Sequence, residues 1–268
     1  MMTTIQLDND QTLELEIPEP AARESFFLFG LHKAGSVLLN RAFSLCAAEL
    51  GVPIIQISKA AFRSGIPDDQ FNASPGLAQV LFPTGYCYTG FRYFPPYLRA
   101  FFEAQPRPAI LLIRDPRDIL TSLFFSVAYS HSISTGEAGA EQLAARDRAV
   151  ALGIDAYALE NIAFVRNEFA SYDAILSSPR TKLYRYEDVV FSKVPWIQDA
   201  LHFLGESLPN ATVANIVEQV DRRPAQERPD KHVRRVTPGD HREKLQPTTI
   251  ARLNEAFGDV LERFGYSA

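Results

Sequence analysis

The sequence predicts an α/β fold, a central parallel sheet with helices covering both of its faces. Three observations lead there. The runs Ser25–Gly30 (SFFLFG) and Ala109–Ile113 (AILLI) are short and continuously apolar, the pattern of strands buried on both faces. A helical pattern with its own start or stop signal follows each of them. Strands and helices then alternate along most of the chain, which defines βαβ units and a parallel sheet.

The elements follow in order. Thr12–Ile17 alternates apolar and acidic residues and reads as an edge strand in an N-terminal extension, residues 1–24. After Ser25–Gly30, the apolar face of Val37, Leu38, Phe43, Leu45 and Leu50 makes Ser36–Leu50 a helix that Gly51 stops. Pro53–Ile57 and Tyr86–Phe91 read as strands, with an irregular stretch, 59–85, between them and a helix at Pro96–Ala104. Asp118–Tyr129 is a helix, Ser130–Gly139 a Ser/Gly-rich loop, and Glu141–Leu176 helical in two pieces around Gly153. Lys182–Tyr186 is the last strand. Helices at Pro195–Leu204, Ala211–Val220 and Thr248–Phe264 bracket a charged loop, Asp221–Lys244. No internal repeat divides the chain, so residues 1–268 read as one domain.

Composition bounds the function. Hydrophobic residues make up 46% and charged residues 22%, enough for a sizeable core. A net charge of −5 argues against a general nucleic-acid binder while leaving room for a local basic pocket. Cys46 and Cys87 are the only cysteines and form no CxxC pair, so neither a zinc site nor any other metal is expected. The acidic N-terminus lacks the pattern of a secretory signal, and no run approaches the roughly 18 apolar residues of a membrane span. A cytoplasmic location is the default. A homo-oligomer stays open.

Two loops carry chemistry. Gly30-Leu31-His32-Lys33-Ala34-Gly35-Ser36 joins the first buried strand to a helix, and unpaired N–H groups at a helix start, with the helix dipole, favour an anion. Lys33 adds a charge and Ser36 a hydroxyl. A nucleotide-hydrolysing P-loop needs its lysine directly after the second glycine, whereas Lys33 stands two residues before Gly35. A plain Gly-rich turn fits the same residues. The second loop, Arg114-Asp115-Pro116-Arg117-Asp118, follows AILLI. Pro116 and Asp118 suit a helix start, and the Arg114 fork with Ser122, eight residues on, suits a phosphate monoester. A capped helix with Asp115 and Arg117 paired to each other also fits. Two anion sites beyond the ends of parallel strands point to a ligand with two separated phosphate groups.

With these residues in view, the sequence resembles the PAPS-dependent sulfotransferases, a superfamily with a P-loop-like three-layer α/β fold. Phe29–Leu38 looks like that family's 5′-phosphosulfate loop (YPKSGTTWL), and Arg114–Asp118 with Ser122 like its 3′-phosphate motif. Tyr184–Asp188 resembles the YEDL segment, His202–Gly205 the FLG helix end, Arg234–His241 the late RKGxxGDW loop and Phe264–Tyr266 the closing FGY. The resemblance implies that Lys33, Ala34, Gly35, Ser36, Val37 and Leu38 hold the 5′-phosphosulfate. It implies that Arg114 and Ser122 hold the 3′-phosphate under Arg234 and Arg235, and that Tyr186 lies beside the adenine. It implies PAPS as donor and PAP as product, without metal. His32 departs from the family's proline, Val236 from a glycine and His241 from a tryptophan.

The acceptor's proton needs a base. Where the cytosolic branch has a histidine in a KTHLP-like segment, this chain has Tyr93, whose ordinary pKa of about 10 suits a base poorly. His32 has the right ordinary range, and a loop histidine bonded to backbone is the plain alternative. His131 is a third candidate, and other branches of the family use a glutamate, which this sequence does not single out. The aromatic-rich stretch from Phe71 to Phe102, with Phe124, Phe125 and Tyr129, reads as core or as the lining of a pocket for a small-molecule, carbohydrate or lipid acceptor. Two other readings are a P-loop small-molecule kinase and a catalytically degenerate PAP/PAPS-binding module.

Overall fold

A computed structural model of the chain describes all residues except 8–10, 67–72, 131–132, 134–136, 232 and 268. His131 and Phe71 lie outside the described residues. Two strands, β1 (Met2–Gln6) and β2 (Thr12–Glu16), pair antiparallel as a separate two-stranded sheet. Five more follow: β3 (Phe26–Gly30), β4 (Ile54–Ile55), β5 (Cys87–Phe91), β6 (Ala109–Ile113) and β7 (Thr181–Arg185). They form one sheet in the order β4-β5-β3-β6-β7, every neighbouring pair parallel.

Strand alternation divides each central strand between two cores. Phe27, Phe29, Leu111 and Ile113 enter one, while Phe26, Leu28, Ile110 and Leu112 enter the other. The first core is aromatic. The Phe27 ring stacks on Tyr88 at 4.6 Å and meets the edge of Phe102 at 4.9 Å. Phe82, Tyr86, Phe91, Phe94, Tyr97 and Phe101 also belong to this cluster, so the described aromatic residues between positions 71 and 102, Tyr93 apart, lie in or against this core. The second core packs Ala42, Phe43 and Cys46 of the Ser36–Glu49 helix against Trp196 and Ile197. Helices thus cover both faces, as the continuous apolar strands require.

Several elements differ from expectation. The strand read at Thr12–Ile17 is no edge of the main sheet. It pairs with Met2–Gln6, and the hairpin buries Ile5, Leu13 and Leu15 in the first core. Alternation specifies one apolar face but not the neighbour that covers it. The stretch expected to be irregular from residue 59 opens in a helix, Ile57–Arg63. The helix expected over Thr248–Phe264 is two, Pro247–Ala256 and Gly258–Phe264. The break near Gly153 is present, with φ 72° at that glycine inside Glu137–Glu160. The helix after β6 runs Pro116–Phe125 and widens into a π turn over Ser126–Ser130.

β3 and β6 are neighbours, with Gly30 opposite Leu112. The loops that leave them therefore start side by side at the carboxyl edge of the sheet, where open α/β sheets bind ligands.

Candidate active site

The first loop is shaped by two left-handed residues. Lys33 has φ 59° and Gly35 φ 89°, and Gly35 starts the Ser36–Glu49 helix. A side chain at Gly35 is excluded twice, by its φ and by the Tyr186 ring, 2.7 Å from where a Cβ would stand. The lysine conformation is unusual for a residue with a Cβ, and such strain clusters at ligand sites. Burial first, then the charges of Arg92, Arg114 and Arg234, lower the Lys33 ammonium to about 8.

The second loop is tied to the first. Arg114 donates to the Lys33 carbonyl at 3.1 Å, lies 3.4 Å from Asp118, and places its guanidinium over the Tyr186 ring at 4.7 Å. Its Nε is buried and, among the described residues, has no hydrogen-bond partner. Asp115 caps the helix by accepting from the Arg117 N–H, and its carboxylate also holds the buried Arg117 guanidinium at 2.9 and 2.7 Å. Asp115 and Arg117 thus pair with each other. Arg117 also reaches Asn254 and the Ser267 carbonyl.

The late loop closes on this pair of loops through Asp118. Its carboxylate accepts the backbone N–H groups of Gly239 and His241 at 2.7 and 3.0 Å, and meets His241 Nδ1 at 2.6 Å. The buried His241, where the family pattern has tryptophan, is therefore an anchor. Tyr186 donates its hydroxyl to the Val236 carbonyl at 3.0 Å. Arg234 pairs with Glu227 and Asp240 and lies 4.0 Å from the Phe125 ring centre, while Arg235 pairs with Asp240 and Glu243.

A cleft of about 490 Å³ joins these parts. Lys33, Gly35, Ser36, Val37, Leu38, Arg114, Ser122, Tyr186 and Arg235 all line it, with His32 and Arg92 beside Lys33. A small basic recess adjoins it, lined by Lys33, Arg114, Ser122, Ser126, Ser130, Lys231, Arg234 and Arg235. Ala34 is fully buried behind the loop and does not line the cleft. The sequence reading does not single out Ser126 and Ser130. Their signal is the spacing of four from Ser122, which puts three hydroxyls along one side of a helical segment.

His32 and Tyr93 part company. Tyr93 is half-buried near Tyr97 and Tyr172, whose hydroxyls its charge helps push up after burial, and it does not line the cleft. His32 lines the cleft. Its backbone N–H donates to Glu168 Oε2 at 3.1 Å, its Nδ1 meets Glu168 Oε1, and Arg92 lies 3.5 Å from Nε2. Nothing in the sequence around Glu168 marks it out. It is one acidic residue on a helix, Ile162–Ser171, far along the chain.

No family model and no curated protein sequence matches the chain. Its fold does match solved structures. Mouse sulfotransferase SULT7A1 complexed with PAP is 14% identical, over 90% of this chain and 86% of that one, with a TM-score of 0.56. Retinol dehydratase in complex with androsterone and inactive cofactor PAP is 12% identical, over 97% and 90%, with a TM-score of 0.58. The same enzyme with retinol and PAP gives 12% and 0.57. The chain therefore has the sulfotransferase fold, P-loop-like and three-layered, as the sequence motifs implied. Among the described residues, no helix is long and apolar enough to cross a membrane.

Proposed function

We propose that this protein transfers the sulfuryl group of PAPS to a hydroxyl of a small-molecule, carbohydrate or lipid acceptor. One observation carries the reading. A single cleft joins the left-handed lysine loop to a second, basic recess lined by Arg114, whose Nε has no hydrogen-bond partner among the described residues, and this supports two separate anion sites at the spacing of adjacent strand ends. PAPS carries negative charge at both its 5′ and its 3′ positions.

In this reading the 5′-phosphosulfate lies on residues Lys33–Leu38. The 3′-phosphate enters the recess, where Arg114, Arg234, Arg235 and Ser122, joined by Ser126 and Ser130, supply charge-assisted donors. Tyr186 flanks the adenine. The acceptor oxygen attacks sulfur in line with the bridging oxygen. As the new S–O bond forms, the old one breaks and its electron pair goes to the 5′-phosphate of PAP. Lys33 stabilises that leaving oxygen, and alignment with preorganised charge does most of the catalysis. The acceptor proton passes to His32, the histidine that shares the cleft with Lys33.

Leu123, Val127 and Ala145 give the cleft an apolar wall, and retinol dehydratase binds androsterone and retinol; both support an apolar alcohol among the possible acceptors. We read residues 1–268 as one domain working in the cytoplasm. Thermal shift with PAP, PAPS and Mg-ATP tests the donor. PAP and PAPS should raise Tm and Mg-ATP should not, because a ligand selective for the native state stabilises it. Stabilisation by Mg-ATP alone would favour a kinase. An acceptor screen with labelled PAPS then separates a transferase from a binding module.

A further inference from the structure

We propose that Glu168 is a positioning residue for the acceptor base: its carboxylate fixes His32 in the tautomer that carries hydrogen on Nδ1 and leaves the Nε2 lone pair for the acceptor hydroxyl. The catalytic part of this inference rests on the transferase reading above; the tautomer does not.

The carboxylate grips His32 at two points. Oε2 accepts the backbone N–H at 3.1 Å, and Oε1 meets ring Nδ1. An ionised carboxylate only accepts, so Nδ1 must donate and the ring hydrogen of the neutral imidazole sits there. The other ring nitrogen has a neighbour of the opposite kind. The Arg92 guanidinium, which only donates, lies 3.5 Å from Nε2, consistent with a lone pair at that atom. Both neighbours thus point to the same tautomer.

The helix that carries the carboxylate is itself held in place. Glu168 is only 4% exposed, so the loss of His32 as partner would leave a buried charge uncompensated. Its backbone carbonyl accepts from the Ser171 hydroxyl at 2.7 Å, and Ser171 Oγ in turn accepts the Phe94 N–H at 3.0 Å. One residue beyond this helix, the buried Tyr172 hydroxyl donates to the Gly30 carbonyl at 2.8 Å. The helix that carries Glu168 is therefore fixed both to the end of β3 and to the segment that follows β5. A frame of this kind holds a catalytic group to the tolerance that transfer requires.

During transfer the acceptor's O–H bond breaks, its proton joins Nε2, and the oxygen forms the new bond to sulfur. The imidazolium that results has Glu168 behind it. A carboxylate behind a histidine performs the same two tasks in hydrolytic triads, setting the tautomer and stabilising the imidazolium.

Glu168→Gln separates this role from simple pinning of the loop. The amide oxygen still accepts the His32 N–H, so the loop keeps its anchor. The amide nitrogen donates to Nδ1, which must then accept, and the ring hydrogen moves to Nε2. Three measurements follow. Nitrogen-15 NMR of histidine-labelled protein at alkaline pH, with His32 assigned through His32→Asn, should show hydrogen on Nδ1 in the wild type and on Nε2 in Glu168→Gln. Hydrogen on Nε2 in the wild type, or no change in the variant, overturns the proposal. With PAPS and an acceptor found by screening, kcat should fall by about 10²–10⁴-fold in Glu168→Gln while PAP affinity changes by less than about two-fold. The double variant with His32→Ala should be no slower than His32→Ala alone. An additive loss, or a kcat within about three-fold of wild type, removes Glu168 from the reaction. Failure of the wild type to transfer to any acceptor overturns the transferase reading and the catalytic role with it, whereas the NMR result would still decide the tautomer.

Discussion

Asp118 and His241 stand 123 positions apart in the chain and meet in a buried contact of 2.6 Å between Oδ1 and Nδ1. The same carboxylate accepts two backbone N–H groups of the late loop and faces Arg114. One acidic residue at the start of a helix thus latches the loop that carries Arg234 and Arg235 over the recess.

Asp118→Asn should therefore cost stability and weaken PAP binding together. Removing one partner of a buried ion pair costs about 3–5 kcal/mol. Burial alone would raise the Asp118 carboxyl, but the His241 hydrogen bond and the Arg114 charge outweigh it and hold the group well below the usual carboxylate range. The native state thus favours the ionised form more than the unfolded chain does. That contribution is fully present above about pH 4 and is lost as pH falls below it toward the depressed native value. Urea melts of wild type and variant should differ most near neutral pH and converge in acid.

Gly35→Ala should abolish donor binding while leaving most of the fold intact. Its Cβ would strike the Tyr186 ring, and its φ of 89° suits only glycine well. Relief requires movement of either the loop or the ring, and both line the cleft. Calorimetric titration with PAP should show at least about a hundred-fold loss, equivalent to about 2.7 kcal/mol.

Lys33 makes the protein's stability sensitive to alkaline pH. Its ammonium is lowered to about 8, by burial and then by three arginines, so the native state holds fewer protons than the unfolded chain between about pH 8 and the ordinary lysine value of 10.5. The resulting cost to stability is fully present below pH 8 and is relieved as pH rises through that window. Lys33→Met should raise the ligand-free Tm at pH 7 by about 2–4 °C, a gain that shrinks by pH 9.5. Wild-type affinity for PAP should fall as pH rises through about 8, and the variant should lack that fall.

Arg114→Ala should erase the preference for PAP over 5′-AMP, which lacks the 3′-phosphate. Hydrogen bonds to charged groups are worth about 1.5–3 kcal/mol, so PAP affinity should drop by about 10- to 100-fold with little change for AMP. Competition binding of the two nucleotides measures the ratio directly. An equal loss for both would instead assign Arg114 to the 5′ end.

Much of this site is legible along the chain because it is encoded locally. A strand, a glycine-bounded turn and a helix start fix where Lys33 and Ser36 stand, and the spacing of eight carries Arg114 to Ser122. The two loops are adjacent because β3 and β6 pair, which buried apolar runs suggest but do not order. The hairpin is the counterexample. Alternation marks the strand Thr12–Glu16, yet the partner and the core that take it depend on packing.

The roles of the two histidines show the limit. The sequence by itself determined that His32 adjoins the lysine of a glycine-bounded strand-to-helix loop and that His241 sits in a late charged loop, since neighbours in sequence are neighbours in space. Only the tertiary structure decided that His32 faces a buried carboxylate 136 residues away and that His241 closes on Asp118. The reason is physical. Local backbone preference and hydrophobic period act within a few turns of chain, whereas the partner of a buried polar group is set by whichever distant element the packing of the core brings within about 3 Å.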